Sequence, residues 1–394
     1  MSPTPSPDRR SARSRPDRRR TGRGSQARHN RPRQERGASA VGRRFEVEVG
    51  PVAHGGHFVA RAESRVIFVR HALPGERVIV EITEGTDGDR FWRGDAVEVL
   101  EASPDRVTPP CRYAGPGLCG GCDFQHVALP AQRALKAAVV AEQLRRLAGL
   151  DVAVEVEAVP GDVDGLRWRT RQRYVPLPDG GRGMRKHRSH EVVEVDECLL
   201  EAPGAPSYDV RGHTFQVAAG GFWQVHPGAP EALVGAVLEA LAPQPGESVL
   251  DLYAGVGLFT RFLADAVGPD GRVASVEGDP AASRLAAANC PEVTVSPGDV
   301  GEVLAGGPAG LGDEWDTVDL VVLDPPRVGA KRAVVEQVVA RAPRAVAYVA
   351  CDPAALARDV AIFAEHGYRL VSLRAFDLFP MTHHVECVCL LTRK

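Results

Sequence analysis

The chain has no run approaching the roughly 18 apolar residues that a membrane helix needs, and its N-terminus lacks the apolar segment of a secretory signal. Both absences point to a cytoplasmic protein that does not engage membranes. Lysine is missing from the first 44 residues and acids nearly so: Asp8, Asp17 and Glu35 stand against fourteen arginines. That stretch nets +11, so the remainder carries −14 within a total of −3. Rich in Ser, Pro and Gly with almost nothing to bury, it is expected to be disordered, with a charge suited to a polyanion such as RNA. With no sign of export, disulfides are not the expected use of cysteine. The eight cysteines are read as metal ligands, catalytic groups or packing. At 394 residues there is room for two or three domains.

What is present centres on VLDLYAGVGLFT, residues 249–260. An apolar run reaches Asp251, a turn carries Gly255 and Gly257, and a helical pattern follows. Such a unit lets backbone approach a nucleotide-like ligand. A second apolar run ends on Glu277, twenty positions after Gly257, where a carboxylate can accept from both ribose hydroxyls. A bound adenosine-type cofactor is expected. Strands are expected at 248–252, 272–276, 318–323, 345–350, 369–375 and 385–391, with helices between the first five. That is a doubly wound α/β domain with ligands at the carboxyl ends of its strands, where Asp251, Glu277, Asp324 and Cys351 fall.

Upstream, residues 45–101 alternate in short runs separated by glycine turns, enough for four or five strands of a small barrel. VAHGGHFVAR followed by VIFVRHALPGERVIVEI resembles the TRAM domain, an oligonucleotide-binding-like barrel of RNA-modifying enzymes; His54, Arg61, Arg65, Arg70 and Arg77 would track phosphates. CRYAGPGLCGGCDFQH then places Cys119 and Cys122 two residues apart, with Cys111 eight before. Cys198 is the nearby candidate for a fourth thiolate; zinc and a [4Fe–4S] cluster both suit such a set, and a single Cys-x-x-Cys pair favours the cluster. Residues 129–149 read as an amphipathic helix with Leu135, Val139, Val140, Leu144 and Leu147 on one broad face and Gly149 as its cap. RWRTRQRY, residues 167–174, reads as a strand turning a charged face to RNA.

Chemistry concentrates downstream. LDPPR, with its two prolines, fixes the direction of the Asp324 carboxylate. In VACDP, Cys351 ends a buried strand and Asp352 with Pro353 opens a helix over 353–366, a position that favours the thiolate. HHVECVCLL offers Glu386 as a base with a raised pKa, with His383 and His384 as rivals; Cys387 and Cys389 read as strand packing.

In order, CGGC with Cys111, FWQVHP, DLYAGVG, LDPPR, VACDP and HVEC resemble the RNA 5-methyluridine methyltransferases, specifically the TRAM-containing branch with an iron–sulfur cluster. The resemblance spans about residues 45–394. It implies that Gln224, Tyr253, Glu277 and Asp324 hold S-adenosylmethionine, with Asp299 as an adenine contact. It makes Cys351 the nucleophile that adds to carbon 6, so that carbon 5 can attack the sulfonium methyl, and Glu386 the base that removes the carbon 5 proton. It gives the cluster to Cys111, Cys119, Cys122 and Cys198. His226 and Leu258 depart from residues common in relatives, and the Cys111–Cys119 spacing is longer than in many.

The expected organisation is an Arg-rich tail (1–44), a TRAM-like barrel (45–104), a central α+β iron–sulfur and RNA-binding domain (105–214) and a Rossmann-like class I methyltransferase domain (215–394), acting as a monomer. Ribosomal RNA is favoured over transfer RNA as the substrate. Adenine-N methylation, radical chemistry on the cluster and a non-catalytic RNA-binding protein are the competing readings.

Overall fold

The computed structural model describes residues 37–307 and 310–393; most of the Arg-rich tail lies outside the described residues. The chain opens with β1 (Arg44–Glu48), β2 (Val52–Ala53), β3 (His57–Ala62), β4 (Arg65–Arg70), β5 (Arg77–Glu84) and β6 (Phe91–Glu101). They form a six-stranded sheet in the order β1-β5-β6-β4-β3-β2. Alternation does the folding: Val78, Val80 and Ile82 of β5 point inward against Phe58, Ile67 and Trp92. Gly94 lies where a Cβ would stand 2.6 Å from the Glu81 carbonyl oxygen, so only glycine lets β6 close on β5 there. Six strands form where four or five were expected, because the two residues of β2 are too few to show a period.

Helix α1 (Leu129–Gln143) runs into a π-helical turn (Leu144–Ala148) that Gly149 ends at φ 67°. The broad apolar face serves two cores at once. Leu135 and Val139 pack on the barrel, whereas Val140 and Leu144 are buried in the catalytic core. Next, β7 (Val156–Glu157) pairs in parallel with a strand near the C-terminus. Residues 129–157, inside the span expected for the central domain, therefore belong structurally to the catalytic sheet as well.

The central region is otherwise sparse: β8 (Val175–Pro176), β9 (Arg182–Arg185) and β10 (Val192–Glu194) make one small sheet, β11 (Asp209–Val210) and β12 (His213–Thr214) a hairpin. The strand expected at 167–174 is absent. Trp168 is buried, stacked 5.9 Å from His226, and the backbone is pinned by scattered bonds rather than a ladder. Arg169 forms an isolated bridge with Glu201, its N–H donating to the Leu200 carbonyl at 2.6 Å, and Thr170 N–H donates to the Val225 carbonyl at 2.9 Å.

From α2 (Ala229–Leu241) onward the chain alternates β13 (Ser248–Leu252), α3 (Leu258–Val267), β14 (Arg272–Glu277), α4 (Pro280–Asn289), β15 (Thr294–Pro297), α5 (Val300–Leu304), β16 (Leu320–Leu323), α6 (Lys331–Ala340), β17 (Ala345–Ala350), α7 (Pro353–Glu365), β18 (Tyr368–Phe376) and β19 (Glu386–Arg393). The eight-stranded sheet runs β15-β14-β13-β16-β17-β19-β18-β7, with β19 antiparallel to both of its neighbours. Helices on both faces bury its central strands completely, which is why those read as continuous apolar runs. The strand not anticipated, β15, is a short edge strand ending in Pro297.

Candidate active site

The cofactor end is built by backbone strain. Tyr253 holds φ 66°, Gly255 57° and Gly257 90°, all left-handed. Tyr253 and Ala254 N–H both donate to the Val276 carbonyl, at 2.9 and 3.1 Å, which forces the turn off the end of β13. Glu277 is anchored on its lip: Gly255 N–H donates to one oxygen at 2.8 Å and Asp279 N–H to the other at 2.6 Å. Asp251 is buried beneath, accepting from the Thr260 hydroxyl at 2.5 Å, with its second oxygen unpartnered. Burial, opposed by the Thr260 bonds and reinforced by Glu277, pushes Asp251 up to about 6. Burial, then Asp251 and Glu277, pushes Asp324 up to about 7. Three carboxylates thus gather at one turn, and among the described residues none of them forms an ion pair. Asp299 uses one oxygen to cap α5, accepting from Gly301 and Glu302 N–H. Gln224 lies half-buried in the irregular segment ahead of α2.

The neighbouring strand ends bring the two chemical groups together. Ala350 of β17 faces Cys387 of β19, so the next step out along each strand sets Cys351 beside Glu386. Cys351 lines an open cleft of about 660 Å³ with Arg327, Asp352, His383, His384 and barrel residues including His54. Burial, then Glu386 and Asp324, push its thiol up to about 12. The helix start does not deliver the thiolate expected, because burial first and then the neighbouring carboxylates outweigh it, while the Asp352 side chain takes the Ala355 N–H at 2.8 Å. Glu386 is buried and raised well above the carboxylate range by burial and Asp324, with Arg327 pulling the other way. The rival bases are placed differently. His383 Nδ1 lies 2.6 Å from an Asp123 oxygen, and His384, pushed down to about 3 by burial and His383, has Nε2 3.3 Å from Arg327.

The phosphate-tracking expectation needs correction at Arg70, which is buried and donates to the Cys122 carbonyl. Arg77 pairs with Glu46 and Glu101 at the surface, and Arg65 stacks 4.7 Å from the Trp92 ring. Arg61 is exposed. Sequence reasoning also passed over Asp123, although it directly follows Cys122 in the cysteine motif, and Asp359. Buried in α7, Asp359 accepts from Tyr348 O–H at 2.6 Å and Ala330 N–H at 2.7 Å, tying down the loop that follows Asp324.

Cys111, Cys119, Cys122 and Cys198 line one cavity with Met184, Leu199 and Leu200. Gly120 lets this loop lie on β9 and the turn after it, since a Cβ would stand 2.4 Å from the His187 nitrogen. Gly121 N–H donates to the Cys119 sulfur at 3.4 Å and the Gln125 amide to the Cys122 sulfur at 3.2 Å. Burial, chiefly, and the proximity of the other thiols raise Cys111, Cys119 and Cys122. Among the described residues no three Cys, His, Asp or Glu side chains are arranged to hold a single metal ion. Four thiols around one apolar cavity, with N–H donors to two of the sulfurs, are a donor set of the kind that an iron–sulfur cluster or zinc takes.

A largely parallel sheet with a left-handed glycine turn and an anchored acid on the next strand is the framework of an S-adenosylmethionine-dependent methyltransferase, here carrying an extra six-stranded barrel. Residues 38–97 match the TRAM domain and residues 313–394 match tRNA (Uracil-5-)-methyltransferase. A Streptomyces avermitilis protein named "Uncharacterized RNA methyltransferase" is 44% identical over 88% of this chain and 98% of its own. The Chromohalobacter salexigens 23S rRNA (uracil(1939)-C(5))-methyltransferase RlmD is 32% identical over 87% of this chain and 88% of its own. The chain belongs to the RNA (uracil-5-)-methyltransferase family. In fold it is similar to the Pyrococcus abyssi tRNA (uracil-54, C5)-methyltransferase in complex with S-adenosyl-L-homocysteine, with a TM-score of 0.64 at 20% identity over 88% of this chain and 100% of that one. Among the described residues no helix is long and apolar enough to cross a membrane.

Proposed function

We propose that this enzyme methylates carbon 5 of a uridine in 23S rRNA through a covalent adduct on Cys351. The observation that carries the reading is Cys351 lining an open cleft, one register step beyond the Ala350–Cys387 pair and so beside buried Glu386, with Asp324 close enough to raise its thiol. In this scheme the Cys351 proton passes to water in the open cleft, the sulfur bonds to carbon 6, and carbon 5 takes the methyl carbon as its bond to the sulfonium breaks, with Glu386 left ionised for the later step. Glu386 then takes the carbon 5 proton and the carbon 6–sulfur bond breaks, restoring the double bond and the thiolate. Tyr253, Glu277, Asp324 and Gln224 hold the donor. Its positive charge offsets the carboxylates that raise the Cys351 thiol, so thiolate formation is tied to a loaded donor pocket. The target base must leave its stack to reach the cleft.

Cys111, Cys119, Cys122 and Cys198 would hold a [4Fe–4S] cluster, which cross-links the central loops and takes no part in the transfer. Ribosomal RNA is preferred over transfer RNA because barrel and cysteine cavity occur together, and the setting is cytoplasmic, with the enzyme acting as a monomer. The test is Cys351→Ala: no 5-methyluridine and no adduct on 5-fluorouridine RNA, with cofactor binding retained. Methylation by that variant would end the covalent scheme, and mapping 5-methyluridine in ribosomal and transfer RNA from a strain lacking the protein identifies the substrate.

A further inference from the structure

The barrel reaches the catalytic cleft through a single turn. Residues 54–56 join β2 to β3, and Val52, His54, Gly55 and Gly56 all line the cleft that holds Cys351. His54 Nε2 lies 3.1 Å from an oxygen of Asp352, the residue next to Cys351, whose other oxygen caps α7. Gly56, at φ +76°, lies flat on the neighbouring ring: a Cβ there would stand 2.6 Å from the His383 Cβ. His383 is held in turn by Asp123 through its backbone N–H and Nδ1, at 3.1 and 2.6 Å, and leads within three residues to Glu386. One barrel turn therefore touches both arms of the site, the one that carries Cys351 and the one that leads to Glu386.

The His54–Asp352 pair is partly open to water, with side chains 40% and 23% exposed, so its worth to stability is small. What it fixes is position. The geometry points to the 54–56 turn as part of the catalytic apparatus. His54 is a positioning residue that steadies Asp352, and through it Cys351, while Gly56 seats His383, so that the barrel forms one wall of the cleft taking an extruded uracil. The barrel is then a component of the base pocket as well as an RNA-facing module, and methyl transfer depends on its being docked. The inference rests on the uridine reading above for the identity of the base, though not for the brace itself.

The experiment uses the full-length, cofactor-loaded enzyme with His54→Ala, His54→Gln and Gly56→Ala. Two rates are read: single-turnover methylation of ribosomal RNA from a strain lacking the protein, and alkylation of Cys351 by iodoacetamide followed by mass spectrometry, which needs no RNA. A displacement of the nucleophile by a fraction of an ångström predicts a single-turnover rate about tenfold lower for His54→Ala, with the RNA KM changed less than about threefold. His54→Gln, which keeps an N–H for Asp352, recovers most of that rate. Alkylation of Cys351 is several times faster in His54→Ala and Gly56→Ala, and near normal in His54→Gln. A raised KM with an unchanged rate constant would make His54 a simple RNA contact and overturn the proposal, as would unaltered alkylation in both His54→Ala and Gly56→Ala. Wild-type enzyme that makes no 5-methyluridine and traps no 5-fluorouridine RNA would instead sink the uridine reading, and the alkylation contrast would still decide the brace.

Discussion

Asp324 and Asp251 sit in the folded chain at a cost that a bound cation removes. Both have folded pKa values above the ordinary carboxylate range, about 7 and about 6. Their contribution to stability is present when they are protonated and is lost as pH rises from the usual carboxylate pKa through those values. A sulfonium ligand favours the ionised forms, so its binding releases protons and tightens with rising pH until about 7, then levels off. The slope is at most about tenfold per pH unit for each proton released. Calorimetry across this range should show that slope for S-adenosylmethionine, a weaker one for S-adenosylhomocysteine, which lacks the positive charge, and a flattened one for Asp324→Asn. Equal slopes for the two ligands would mean that the carboxylates do not answer the sulfonium. At the neighbouring strand end, Glu386→Gln should leave methylated RNA attached to Cys351, seen as a band that survives denaturing electrophoresis; free 5-methyluridine at the normal rate would hand the proton step to another group. The raised state of Glu386 was legible because Val385, Val388 and Leu390 surround it in sequence. That of Cys351 was not, because its burial and the nearby Glu386 and Asp324 come from segments distant in the chain and joined only by the sheet.

At the scale of elements, the parallel strands announced themselves as apolar runs buried on both faces, and α7 by Asp352 and Pro353 at its start. Other features carry no local signal. β15 is four residues with a terminal proline, and residues 167–174 alternate like a strand but meet residues 199–202 only as an isolated bridge at Arg169. The stripe on α1 was visible, but periodicity cannot say that Val140 and Leu144 serve one core while Leu135 and Val139 serve another. Asp359 is hidden for the same reason: a helix-interior acid reads as solvated until the Tyr348 hydroxyl and the Ala330 N–H arrive from two other elements. Asp359→Ala would leave the Tyr348 hydroxyl proton buried without an acceptor, take the acceptor from Lys331 N–H and leave Ala330 N–H only the Tyr348 oxygen at 3.2 Å, costing about 3 kcal/mol. The loop from Asp324 to Lys331 would loosen with it, so urea unfolding should show the loss and the affinity for S-adenosylmethionine should fall. Stability lost with full affinity retained would mean that the loop is held by its prolines alone.

Across the whole molecule, the catalytic sheet is finished by chain that precedes it. β7 supplies its eighth strand, α1 wedges between barrel and sheet, and Lys136 of α1 meets Asp377, just past β18, at 2.5 Å with both side chains fully buried. Lys136 also donates to the Phe379 carbonyl at 3.0 Å, while the second oxygen of Asp377 has no partner. A fragment of residues 215–394 would therefore expose one flank of the sheet, lose the cover of Val140 and Leu144, and leave Asp377 without its cation. It should show no cooperative unfolding transition, whereas a chain beginning at residue 37 should. The pair itself is tested by Lys136→Met, which strands the buried carboxylate and should cost about 3–5 kcal/mol, and by Lys136→Met with Asp377→Leu, which removes both charges and should regain most of it. If the double variant recovers stability but not single-turnover methylation, the charge pair is kept for the cleft that Lys136 lines rather than for the fold. Full recovery of both would leave the ion pair no role beyond joining the two halves of the chain.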